Sequence, residues 1–167
     1  MIYILTGEIN SGKTTTLSGW VEAWRSDGCT LGGILAPANW QGGKKISYDV
    51  MDAQTGKRRL LASRKRLRNA ESFGPFWFSK KGLLFGEKVL MGLNAEMEIG
   101  VVDEIGPLEL DHRGWAQGFR SLLSHAPRNL IVVVRTPLVK EVAHSFHLSP
   151  FEILTVSSSR PYSILPH

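Results

Sequence analysis

At 167 residues the chain has the length of one domain with room for a real core. Its 43% hydrophobic and 21% charged residues suit a folded globular protein, and no apolar run nears the roughly 20 residues that cross a membrane. A single cysteine, Cys29, excludes an internal disulfide and fits a reducing cytoplasm, while "MIYILTG" enters a strand pattern without a charged leader, so neither a signal peptide nor a membrane partner is expected.

In chain order, residues 2–5 form a short apolar run ending in Thr6-Gly7, which predicts a buried strand. Residues 13–26 carry Leu17, Val21 and Trp24 at helical spacing, and Asp27-Gly28 stops that helix. A second strand is predicted at 29–36, with Gly32 and Gly33 allowing close backbone approach and Cys29 a small buried residue at its start. Residues 45–52 alternate in polarity, "AQTG" follows, and "KRRLLA" is strand-like again, so a hairpin is expected. Residues 63–81 show no period and contain Gly74-Pro75, which reads as a loop. A helix at 82–94, a strand at 99–102 and a helix at 115–123 come next. The β-branched run 130–134 predicts a central strand, Pro137 opens a helix at 138–146, and 151–156 is a last strand. No repeat or linker divides the chain, so residues 1–167 are expected to be one domain and a monomer.

The net charge of +5 is unevenly spread, since "KRRLLASRKRLR" at 57–68 holds seven of the 20 basic residues. Such a block can bind nucleic acid. The aromatics Phe73, Phe76, Trp77 and Phe78 follow as one cluster and do not interleave with the cations, which weighs against a stacking platform. A solvated face is the expectation.

Residues 7–14 match G-x-x-x-x-G-K-[ST] between a predicted strand and a predicted helix. Glycines at 7 and 12 let backbone N–H groups turn inward around a phosphate, and the helix N-terminus adds its positive dipole end. The binding set is therefore Gly7, Glu8, Ile9, Asn10, Ser11, Gly12, Lys13, Thr14 and Thr15, with Lys13 on the β/γ-oxygens and the Thr14 hydroxyl a Mg²⁺ ligand. Glu8 is an unexpected acid here, and its side chain is expected to turn away while its backbone lines the loop. At the end of strand 99–102, Asp103 would hold the metal side and Glu104 would polarise a water. Arg135, just past the central strand, emerges at the same sheet edge and is the candidate for meeting transition-state charge, with Arg160 a candidate near the base. The five histidines show no metal-ligand spacing.

The segments "TGEINSGKTT", "GGILAPANWQGGKKISYDVMDAQTG" and "VVDEIGPLEL" together resemble the THEP1-type nucleoside-triphosphatases, over residues 1 to about 62 and 99 to 136. That resemblance implies a three-layer α/β P-loop fold with a mainly parallel sheet and an added β-hairpin near residues 45–62. It also implies Mg²⁺-dependent hydrolysis of ATP, GTP and other nucleoside triphosphates. Carried onto this sequence, residues 7–15 become the phosphate loop, Asp103 the metal-side acid, Glu104 the catalytic base and Glu109 a recurrent acid. Family members often carry Lys after "DEIG", where this chain has Pro107, and the tail "SSSRPY" departs from the family's pattern near the base. Two rivals stay open: a nucleotide or small-molecule kinase with residues 64–81 as an acceptor lid, and a nucleotide-gated module that binds RNA or protein through 57–68.

Overall fold

In the computed structural model, which describes residues 1–161, the chain runs β1 (Ile2–Gly7), α1 (Lys13–Ser26), β2 (Leu31–Leu35), β3 (Ala38–Gln41), β4 (Lys44–Asp52), β5 (Arg58–Ser63), β6 (Ala70–Phe73), β7 (Phe76–Ser79) and α2 (Lys80–Met91). It continues with β8 (Ile99–Val102), α3 (Pro107–Leu110), α4 (Ala116–Leu123), β9 (Asn129–Arg135), a 3-10 turn (Thr136–Leu138), α5 (Val139–Ser145) and β10 (Phe151–Thr155). All ten strands join one sheet in the order β10-β1-β9-β8-β2-β4-β5-β7-β6, with β3 paired to β4.

The continuous apolar runs make β1, β9, β8 and β2, the inner strands of the parallel part, because strands covered on both faces need apolar side chains at every position, and β10 closes its edge half exposed. Alternation then divides them between two cores. Ile4, Val102, Leu130, Val132 and Val134 pack with Leu90, Phe119 and Val142 of α2, α4 and α5 on one face. Tyr3, Leu5, Val101, Ile131 and Val133 pack with Leu17, Trp20, Val21 and Trp24 of α1 on the other. This is the expected three-layer arrangement. Gly33 has φ +125°, and a Cβ there would collide with the carbonyl of Val101, so β2 can lie against β8 only with glycine at that point.

Beyond β2 the sheet turns antiparallel. The expected hairpin is present as β4 and β5, and it is the middle of a larger extension. β3 folds onto β4 across Gly42-Gly43, and β7 and β6 add to β5. Residues 63–81 are therefore a loop only in part: 64–69 join β5 to β6 without helix or strand, and Gly74-Pro75 is the turn of the β6–β7 hairpin. The period is hidden because Phe76 and Phe78 face the core while Trp77, between them, faces away, so an apolar residue stands on both faces of a four-residue strand. The acceptor lid of the kinase alternative, 64–81, would thus be a six-residue loop, the β6–β7 hairpin and the start of α2. Cys29 lies just before β2 and is partly exposed. Among the described residues no helix is long and apolar enough to cross a membrane.

Candidate active site

Parallel pairing brings the carboxyl ends of β1, β9, β8 and β2 to one edge of the sheet, where α/β folds place their ligands. Register sets the neighbours along that edge. Gly7 is paired with Arg135, so the first residue of the glycine loop lies directly beside the arginine that ends β9. β9 separates β1 from β8, which places Arg135 between the loop and the Asp103-Glu104 pair.

The loop is built around its lysine. Lys13 opens α1, is only 8% exposed, and donates from Nζ to the carbonyls of Gly7 (3.0 Å) and Glu8 (2.6 Å). A cation at a helix start opposes the dipole, and α1 has no acid in its first turn to offset it. Burial lowers the Lys13 pKa, against which Glu104 acts most. Buried cation and helix terminus both favour an anion between them. Gly7 is needed for a second reason: a Cβ there would meet Ser11 Oγ at 2.5 Å. That Oγ is itself buried and unpartnered, a polar atom left facing into the loop. Glu8 and Ile9 are exposed at the tip, so the Glu8 side chain does turn outward while its carbonyl serves Lys13.

Asp103 is 2% exposed, and its Oδ2 accepts the Ala36 backbone N–H at 3.1 Å, just past β2. The Thr14 hydroxyl also bonds its carboxylate. Burial, then the neighbouring Glu104 charge, pushes the Asp103 pKa up to about 6, while Thr14, Ala36 and Lys13 oppose the rise. A hydroxyl and a buried carboxylate in contact, beside an anion loop, are the hard oxygen donors Mg²⁺ takes from protein, the rest coming from phosphate and water. The residues present therefore fit Mg²⁺.

Glu104 turns outward instead. Its Oε1 accepts from Arg135 Nη2 at 2.8 Å, and each side chain is about one-third exposed. The two candidates for water activation and charge stabilisation thus form one pair, open to ligand.

Other expectations are redistributed. Glu109 does not enter the site: it is buried, and its two carboxylate oxygens accept the Gly106 N–H (3.0 Å) and the Trp115 N–H (3.1 Å). It clasps the segment after Glu104 into shape, and burial drives its pKa up to about 7. Pro107 opens the four-residue α3 inside that clasp. Arg160 is a correction. It pairs with Asp27 at 2.9 Å, and Asp27 caps the far end of the 14-residue α1, about 21 Å along the helix axis from the phosphate loop. The opposite charge of Asp27 holds the guanidinium at that end of the helix.

One residue is new. Lys45 of β4 donates from Nζ to Asn10 Oδ1 at 2.7 Å, so the β3–β4 hairpin touches the phosphate loop. Its ammonium lies 5.2 Å from the Trp40 ring centre and 4.9 Å from that of Tyr48, and Arg64 Nε bonds its carbonyl at 2.7 Å. The signal was Gly42-Gly43 before Lys44-Lys45: a double glycine turn tightens a hairpin and leaves lysine just past its tip.

Comparison with known proteins adds to this geometry. A family model described as "NTPase" matches residues 2–164. The chain is 27% identical to the nucleoside-triphosphatase THEP1 of Methanopyrus kandleri, over 80% of this chain and 73% of the relative. It is 30% identical to the protein of the same name from Methanothermobacter thermautotrophicus, over 74% and 71%. Its fold resembles the solution structure of a human cancer-related nucleoside triphosphatase, with a TM-score of 0.70 at 23% identity, covering 95% of this chain and 90% of the other. THEP1 from Aquifex aeolicus superposes with a TM-score of 0.65 at 19% identity, covering 93% and 90%.

Proposed function

The chain belongs to the NTPase family that this match defines, and from that premise we propose that it hydrolyses nucleoside triphosphates, ATP and GTP among them, to diphosphate and phosphate with Mg²⁺. The observation that carries the reading is the Glu104–Arg135 pair, held beside buried Asp103 and in register with the glycine loop.

On nucleotide binding, Lys13 exchanges its two loop carbonyls for β- and γ-phosphate oxygens, and the N–H groups of residues 7–15 surround the β-phosphate. Thr14 and Asp103 would hold Mg²⁺, which when bound offsets charge on the phosphate oxygens. Arg135 turns from Glu104 toward the γ-phosphoryl group and meets the charge that grows there in the transition state. That shift frees the Glu104 carboxylate to orient a water and take its proton. The water oxygen bonds to the γ-phosphorus, the bond to the bridging oxygen breaks, and diphosphate leaves. The adjacency of base and cation keeps the carboxylate aimed before substrate arrives, which removes reorganisation from the chemical step. A cytoplasmic setting, with its millimolar nucleotides and Mg²⁺, completes the reading.

Phosphate release from ATP, GTP, CTP and UTP, with and without Mg²⁺ and with no acceptor present, tests it. Release that depends on Mg²⁺ and on no acceptor is expected. Transfer of the γ-phosphoryl group onto an added nucleoside or nucleotide, with no free phosphate released, would make the protein a kinase.

A further inference from the structure

The antiparallel extension has a character the hydrolytic site does not explain. Residues 44–81 hold eleven of the 20 basic residues and three of the 15 acidic ones, a net charge of +8, which leaves −3 for the remainder of the chain. The positive charge of the protein is the charge of this one region. Two of its lysines, Lys80 and Lys81, stand in the first turn of α2, where the helix dipole disfavours them and no acid compensates. So dense a field of like charge destabilises the folded state unless an anion relieves it.

Chain order separates the cations from the aromatics, and the fold brings them together. The guanidinium of Arg66 lies over the Trp77 ring at 5.3 Å, Arg64 over Phe76 at 5.0 Å, and Arg113 over Phe73 at 5.5 Å. The β6–β7 turn returns the aromatic run alongside the basic block, so the objection drawn from sequence spacing falls.

The sheet also leaves a face open. α2 covers β4, β5 and β7 on one side, where Phe76 and Phe78 pack into the core, and among the described residues no other helix makes extensive contact with β5 or β7. Trp77 alternates to the other side and enters neither core. Cross-strand register aligns it with Ser47 of β4, Ser63 of β5 and Ser72 of β6. One indole thus stands in a row of three small hydroxyl side chains, with a cleft of about 470 Å³ beside it lined by Arg66, Leu67, Arg68, Asn69, Ala70 and Trp77 itself. A base that stacks on the indole takes the place of the Arg66 guanidinium now over the ring, and the displaced cation with Arg68 meets its phosphates. A membrane surface would ask instead for several protruding apolar side chains beside the cations, and this row offers Trp77 among hydroxyls.

We propose that the open face of the antiparallel extension, centred on Trp77, Arg66 and Arg68, is a binding surface for single-stranded nucleic acid. It is independent of the hydrolytic reading, since none of these residues touches the phosphate loop or the acids.

The test is fluorescence titration of the full chain with oligouridine of about 12 nucleotides, a length suited to one small platform. Binding is expected to quench tryptophan emission and to weaken with salt along a slope equivalent to about three phosphates. Arg66→Glu with Arg68→Glu is expected to weaken binding at least about tenfold, and Trp77→Ala about tenfold. Trp77→Phe keeps the stacking face, so binding stays within about threefold while the quench disappears; this variant decides should Trp77→Ala fail to fold. Phosphate release stays at the wild-type level in each folded variant. The proposal is overturned if the oligonucleotide does not bind at low salt, or if these variants bind it as the wild type does. It is equally overturned if duplex DNA of the same length binds as tightly as the single strand, or if phosphatidylserine vesicles bind and the oligonucleotide does not.

Discussion

The two halves of this sheet are built on opposite plans. In the parallel half, β1, β8 and β9 are buried along their lengths, and polarity is confined to the carboxyl edge, where Lys13, Asp103, Glu104 and Arg135 converge. In the antiparallel half, β5 and β6 are partly exposed, and charge is spread over the strands and the segments that join them. The first plan concentrates charge at a point, where low dielectric strengthens each interaction and makes chemistry possible. The second distributes it over a surface, which suits recognition of an extended anion but supports no reaction. Beyond the β2–β4 pairing, Lys45 is a contact between them, a side chain of the second half bonded to the loop of the first.

If chemistry belongs to the parallel half, changes there act on binding and turnover and leave the surface alone. Lys13→Ala is expected to abolish nucleotide binding, read by calorimetry, because it removes the buried cation at the loop centre. Arg135→Ala is expected to lower kcat by about 10³ with KM little changed, as for loss of a transition-state cation. A drop in affinity instead would assign Arg135 to ground-state binding.

Glu109 probes the structural side of the same half. Its pKa, about 7 in the fold, exceeds the ordinary 4.5 because the carboxylate is buried, so the folded chain binds that proton more tightly than the unfolded chain does. The stabilisation is complete below about pH 4.5 and is lost as pH rises through about 7. Relative to Glu109→Gln, which does not titrate, wild-type unfolding free energy in urea should therefore fall between pH 5 and 8, by about 3 kcal/mol at most. A flat difference would mean the carboxylate stays charged throughout.

The smallest effect is expected where the halves meet. Lys45→Met should raise KM about fivefold and leave kcat near wild type, since it removes one partly exposed cation from the loop rim. No change would show the halves to be uncoupled.

How much of this is legible in sequence follows the same division. Strand 99–102 and helix 13–26 are found at their observed bounds, because an all-apolar run and a helical face ended by Asp-Gly are patterns within one segment. The loop and the Asp103-Glu104 step are equally local, and Arg135 is inferable because a residue that ends a central strand must surface at the common edge. β3, β6 and β7 are four residues each, too short for a period, and exist only through pairing with distant strands. Lys45 and Arg160 depend on partners 35 and 133 positions away, Asn10 and Asp27, and no spacing rule carries that information. The contacts of Arg64, Arg66 and Arg113 with Phe76, Trp77 and Phe73 are hidden for the same reason.

The measurement that bears most directly on the division of labour is single-turnover phosphate release by Glu104→Gln, with nucleotide affinity measured on the same preparation. Glu104 keeps its length and its contact to Arg135 as glutamine but can no longer take a proton from water. The account predicts nucleotide affinity within about threefold of wild type and phosphate release slowed by at least about 100-fold. Wild-type release from that variant would contradict it and remove Glu104 from the chemistry.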